Sequence, residues 1–243
     1  MKYMSTNLGM PRVGRKRELK FATEKYWRQE ITASELLSMA SDVVDDTYNQ
    51  QVNAGIDLIP VNDFSFYDRV LDLCCLLDIT PKRFKKNVES FYLDEYFRLA
   101  RGDGDIAAME MTKWFDTNYH YLVPEVEATS NPAFSDQLFA QQILPELNAE
   151  KQKFCLIGPV TFLALAKGSD SVDKYSIQEK LSKAYFDLLK HVEGLGYQNI
   201  QIEEPILGSD LSQQDKDFFS NFYCEISENL GAKTKIHLVT YFG

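Results

Sequence analysis

Three groups of residues in this 243-residue chain have the types and spacing to do chemistry. Carboxylates follow short apolar runs: Asp63 lies just beyond Ile56–Val61, and Glu203-Glu204-Pro205 directly follows Asn199–Ile202. Carboxylates at strand ends can act as an acid and base pair in a hydrolase or lyase if one pKa is raised. The bases Arg12, Arg15, Lys16, Arg17 and Lys20 fall within nine positions, opposed only by Glu18. That density suits a small anionic ligand, and a solvated basic face is the competing reading. The third group, Met111–Tyr121, sets Trp114, Phe115, Tyr119 and Tyr121 among Lys113, Asp116 and His120, where a plain core element would be apolar and periodic.

The rest of the composition narrows the field. A net charge of −10 argues against a nucleic-acid partner. The apolar runs are too short to span a bilayer and residues 1–14 lack a signal-peptide core, so no membrane partner and a cytoplasmic location are expected. Cys74, Cys75, Cys155 and Cys224 have neither paired nor CxxC spacing and read as reduced thiols in or near the core. No Cys/His cluster points to a metal, and His237 reads as a satisfied core histidine.

The elements that must position these groups alternate along the chain. Thr32-Ala-Ser-Glu35 and Ser176-Ile-Gln-Glu179 have the form of capping boxes ahead of amphipathic runs that stop at Gly55 and at Gly194/Gly196. A third helix is expected from near Ser212 to Gly231. Strands are expected at Ile56–Val61, Phe154–Ile157, Asn199–Ile202 and Lys235–Thr240, with two more near Leu8–Val13 and Tyr119–Val123. Pro81–Asp105 is polar and poorly periodic and reads as excursions with short helices. This is an α/β pattern built from βαβ units. No Gly-x-Gly-x-x-Gly turn follows the first strand, so a dinucleotide site lacks support. Carboxylates gathered at strand ends favour a TIM-type (β/α)8 barrel. About six of its eight β/α units can be found before Tyr241-Phe242-Gly243, so an incomplete, open barrel is expected, with its strand edges unpaired.

Several blocks, taken together and in order, resemble the N-terminal half of cobalamin-independent methionine synthase. They are Leu8–Gly14 with Arg17-Glu18-Leu19-Lys20, Gly55–Val61 with Asp63-Phe64 and Tyr67-Asp68, Glu110–Phe115 with Asn118–Tyr121, Gly158–Thr161, and Gln201–Pro205. The resemblance covers nearly the whole chain and fades around Pro81–Asp105 and Glu127–Ala149. It implies one barrel domain over residues 1–243, with a catalytic C-terminal barrel of the same enzyme as partner. The enzyme of that family moves a methyl group from a polyglutamylated methylfolate to homocysteine, and its catalytic half holds zinc, which binds homocysteine as the thiolate.

By the same resemblance, residues matching Arg17, Glu18, Leu19, Lys20 and Lys113 contact the polyglutamate of 5-methyltetrahydrofolate. Arg15, Asp63, Trp114, His120, Glu203 and Glu204 are further cleft candidates. No catalytic residue, cofactor or metal ligand is assigned within the chain, because Val239 and Tyr241 stand where the catalytic half carries a His-x-Cys ligand pair. The chain alone is therefore expected to be inactive. A stand-alone hydrolase or lyase using Asp63 with Glu203 or Glu204, and an inactive truncated domain, are the alternatives.

Overall fold

Local signals set most of the element boundaries in the computed structural model, which describes residues 3–84, 92–169 and 171–242. In chain order the elements are α1 (Glu18–Trp27), α2 (Ala33–Asn53), β1 (Ile59–Val61), α3 (Arg69–Leu76), α4 (Tyr92–Arg101), β2 (Met111–Lys113), β3 (His120–Leu122) and β4 (Glu125–Val126). They continue with α5 (Asp136–Phe139), β5 (Gln152–Ile157), α6 (Pro159–Leu165), β6 (Lys167–Gly168), α7 (Gln178–Gly194), β7 (Asn199–Glu203), α8 (Gln213–Asn229) and β8 (Lys235–Val239). Thr32 and Glu35 form the expected capping box of α2, and Ser212 with Asp215 does the same for α8. The expected box at Ser176 does not form. Asp173 captures the Tyr175 amide first and starts a 3-10 turn, Lys174–Ile177, so α7 begins at Gln178 without a side-chain cap.

The central sheet is parallel, in the order β1-β5-β7-β8. Its register pairs Val61 with Phe154, Ile157 with Glu203 and Glu203 with Val239, so the C-terminal ends of four strands converge. Strand alternation places Phe154, Leu156, Ile200 and Ile202 in the apolar core beneath the helices. Lys153, Cys155, Gln201 and Glu203 share the opposite face and are also buried.

Two of the six expected strands are corrected. Leu8–Val13 is irregular, because Gly9 (φ +142°), Gly14 (φ +78°) and Pro11 interrupt any extended run. Among the described residues, a parallel bridge from Thr6 to Leu58 joins the N-terminal segment to the residue before β1. Tyr119–Val123 does contain a strand, β3, but it pairs antiparallel with β2. A turn with Phe115 at φ +50° folds the two strands back on each other, so they stay outside the parallel sheet. Four strands remain in that sheet, and among the described residues it closes into no barrel. Within Pro81–Asp105 the described helix is α4, and residues 85–91 lie outside the described residues.

Cys74, Cys75 and Cys155 are buried, whereas Cys224 lies exposed on α8. His237 is half-buried on β8 rather than in the core, with Nε2 3.0 Å from Asn199 Oδ1. Among the described residues no helix is long and apolar enough to cross a membrane.

Candidate functional site

Strand polarity makes the ends of β1, β5, β7 and β8 one rim, and a cavity of about 440 Å³ opens there. Met10 and Arg12 from the N-terminal segment line it on one side and Trp114, Thr117 and Tyr119 from the β2–β3 hairpin on another, with Tyr241 and Phe242 beyond β8. The N-terminal basic segment and the aromatic-rich hairpin therefore meet at one site.

Arg12 is tied to the backbone. Its Nη1 donates to the Ser65 and Phe66 carbonyls at 2.8 and 2.9 Å, and its Nη2 donates to the Tyr67 carbonyl. It fastens the N-terminal segment to the loop after β1. In that loop Asp68 is 1% exposed and accepts from the Val70 and Leu71 amides as the N-cap of α3. It also accepts from the Leu122 amide of β3 at 3.0 Å. One carboxylate thus joins the loop, a helix start and the hairpin. Burial raises its pKa, against the pull of these three amides.

The three carboxylates expected at the strand ends have separate fates. Asp63 lines the cavity, accepts from the Met10 amide at 2.8 Å, and has its pKa raised by burial. Glu203, 4% exposed, takes Arg69 Nη1 on both oxygens at 3.0 and 2.9 Å, and Gln201 Nε2 on Oε1 at 2.8 Å. Glu204 points away from the cavity. It is fully buried and accepts from the Val160 and Thr161 amides, the open N–H groups at the start of α6, and from the Tyr223 hydroxyl. Burial lifts its pKa to about 7 although all three donors oppose the rise. An acid–base role for Glu204 is therefore corrected to a trans cap of α6. Glu203 lines the cavity in a charge pair with Arg69.

The cationic candidates divide in the same way. Arg15 pairs with Asp46 at 3.2 Å and Lys20 with Glu24 at 3.4 Å, both exposed. Arg17, in the left-handed region at φ 65°, and Lys113, on exposed β2, enter no ion pair among the described residues. Glu18 accepts from the Lys16 amide at 2.9 Å, and backbone N–H groups lower its pKa. Leu19 is 1% exposed and packs inward, so its side chain cannot touch a solute. Trp114 is mostly buried, edge-on to Phe115 and Tyr121, and still borders the cavity. His120 is exposed, its Nδ1 3.1 Å from the Asn118 carbonyl.

Sequence reasoning gave no role to Arg69 or Phe242, counted Arg12 only among the N-terminal bases, and weighed Tyr241 only at a metal-ligand position. The only advance signal for Arg69 was its place after a capping Asp at the start of a helix, which says nothing of a partner 134 positions away. Among the described residues no three His, Cys, Asp or Glu side chains converge as a metal site.

Comparison with known proteins places the chain in a family. The family described as "Cobalamin-independent synthase, N-terminal domain" matches residues 4–243. A 5-methyltetrahydropteroyltriglutamate–homocysteine methyltransferase of Neisseria meningitidis serogroup B is 43% identical over 239 residues, covering 97% of this chain and 31% of that protein. The protein of the same name from Listeria welshimeri is 41% identical over 245 residues, covering 100% and 32%. The chain thus spans about a third of the length of these curated relatives. A crystal structure from Listeria monocytogenes, described as a vitamin-B12-independent methionine synthase, superposes with a TM-score of 0.63 at 16% identity. It covers 98% of this chain and 66% of that one, a likeness of fold.

Proposed function

Because the chain belongs to the family of cobalamin-independent synthase N-terminal domains, we propose that it is the folate-tail-binding part of an enzyme that transfers the methyl group of 5-methyltetrahydropteroyltriglutamate to homocysteine, forming methionine. The observation that carries this reading is that Arg17 and Lys113, which enter no ion pair among the described residues, belong to the two segments whose Arg12 and Trp114 line one cavity. A glutamate tail offers several carboxylates. Arg17 can take one through two parallel hydrogen bonds, and Lys113 and Lys20 contribute mobile charges. Glu18 holds the Lys16 backbone and thereby shapes the turn that presents Arg17. Trp114 and Tyr119 would wall the groove along which the ligand enters.

In this reading the parallel sheet is an arc of a TIM-type (β/α)8 barrel, and the greater length of the relatives supports a catalytic C-terminal barrel as partner. The test is a calorimetric titration of the chain with mono- and triglutamyl methyltetrahydrofolate. The longer tail should bind more tightly, and Lys113→Ala should weaken it roughly 1.5- to 5-fold, the worth of one exposed ion pair. Raising the salt should erase the difference. Affinity indifferent to both tail length and Lys113→Ala would sink the proposal.

The zinc that the family implies does not fit this chain's own donors. Val239 ends β8 and Tyr241 follows it, and neither side chain offers a usual zinc-binding group. No methyl-transfer step is therefore assigned to these residues, and the purified chain is expected to form no methionine from methylfolate and homocysteine. Product formation without a second polypeptide, followed by mass spectrometry, would contradict that assignment.

A further inference from the structure

The strand-end cavity contains two oppositely charged groups whose hydrogen-bonding capacity the fold leaves open. Arg69 reaches Glu203 through Nη1 alone, and among the described residues its Nε and Nη2 have no acceptor. Asp63 accepts the Met10 amide on Oδ2, and among the described residues no side chain donates to it. Both line the same cavity, and each feels the other's charge without a direct ion pair forming between them. The other charged groups there are more fully engaged: Arg12 gives three N–H groups to backbone carbonyls, Asp68 accepts from three amides, and Glu203 is held by Arg69 and Gln201. The rest of the lining is largely apolar or aromatic, with Trp114 and Phe242 among it.

A free carboxylate and a free guanidinium edge across an aromatic cavity select for a ligand with both charges. A simple anion would meet Asp63, and a simple cation would meet Arg69. We propose that this cavity binds a free α-amino acid with an apolar side chain. The ammonium sits on Asp63, the carboxylate on the open edge of Arg69, and the side chain against Trp114 and Phe242. The site goes beyond the tail-binding role and needs no folate. It stands at the strand ends, where parallel α/β folds collect ligands, and its volume accommodates a molecule of this size.

The probe is L-norleucine, titrated into the 243-residue chain by calorimetry, beside hexanoate, which lacks the ammonium, and pentylamine, which lacks the carboxylate. Norleucine should bind at least about tenfold more tightly than either, since each truncation removes one charge-assisted hydrogen bond. Asp63→Asn keeps the acceptor for the Met10 amide and should lower norleucine affinity about tenfold, to the level of hexanoate. The proposal is overturned if norleucine binds no better than its two truncated analogues, or if a folded Asp63→Asn protein binds it unchanged. Should Asp63→Asn fail to fold, the analogue series on the unmodified chain decides alone. No folate enters these titrations, so this site and the tail-binding reading can fail independently.

Discussion

Glu204→Ala is expected to destabilise the fold by about 3–5 kcal/mol near pH 5, read by urea and thermal unfolding. The change strips the acceptor from the Val160 and Thr161 amides and from the Tyr223 hydroxyl, and it leaves a buried void. Gly158→Ala should do similar damage from the other side, because its Cβ would lie 2.1 Å from the Glu204 carboxyl carbon. The pH dependence has a definite sign. The folded pKa of about 7 stands above the unfolded 4.5, so the native state holds the proton longer. Stability from this group is complete below about pH 4.5, declines as pH rises toward 7, and is level beyond; the fall is at most roughly 3 kcal/mol. Glu204→Gln cannot ionise and should flatten that slope, at a cost of about 1–2 kcal/mol for its misplaced amide N–H. An alanine variant within about 1 kcal/mol of the parent at pH 5 would refute the trans-cap assignment.

Asp68→Ala should cost about 3 kcal/mol or more and should also loosen the strand-end rim. Its carboxylate is the N-cap of α3 and the acceptor for Leu122, so alanine leaves three amides unpaired in a buried place. The loss at Leu122 frees β3 and with it the hairpin that carries Lys113 and Trp114. Hydrogen exchange at the Leu122 amide should accelerate beyond the change set by global stability, and triglutamyl folate should bind more weakly. Asp68→Asn preserves one acceptor oxygen and should recover part of both effects. Unchanged exchange at Leu122 in a folded Asp68→Ala protein would show that the hairpin is held by other means.

Residues close together in sequence made part of this structure readable in advance. Thr32 with Glu35, three positions apart, starts α2, and Ser212 opens α8 as expected. The same logic failed at Ser176 because Asp173, just upstream, captured the first free amide. The strands of the parallel sheet were legible as apolar runs between helix stops. The Leu8–Val13 run was not a strand, because its glycines and proline forbid a ladder. β3 was misplaced because alternation identifies a strand but not its partner.

The sequence by itself determined the family motifs, the α/β order, the caps and the list of charged candidates, all carried by neighbours a few positions apart. Only the tertiary structure decided which of those charges is free. Glu203 is neutralised by Arg69 across 134 positions, and Glu204 is drawn under α6 by an amide 44 positions away. Asp63 alone of the three faces the cavity without a side-chain donor among the described residues. A carboxylate's availability depends on which donors reach it through space and how far it is withdrawn from water, and both are set by packing between segments distant in the chain.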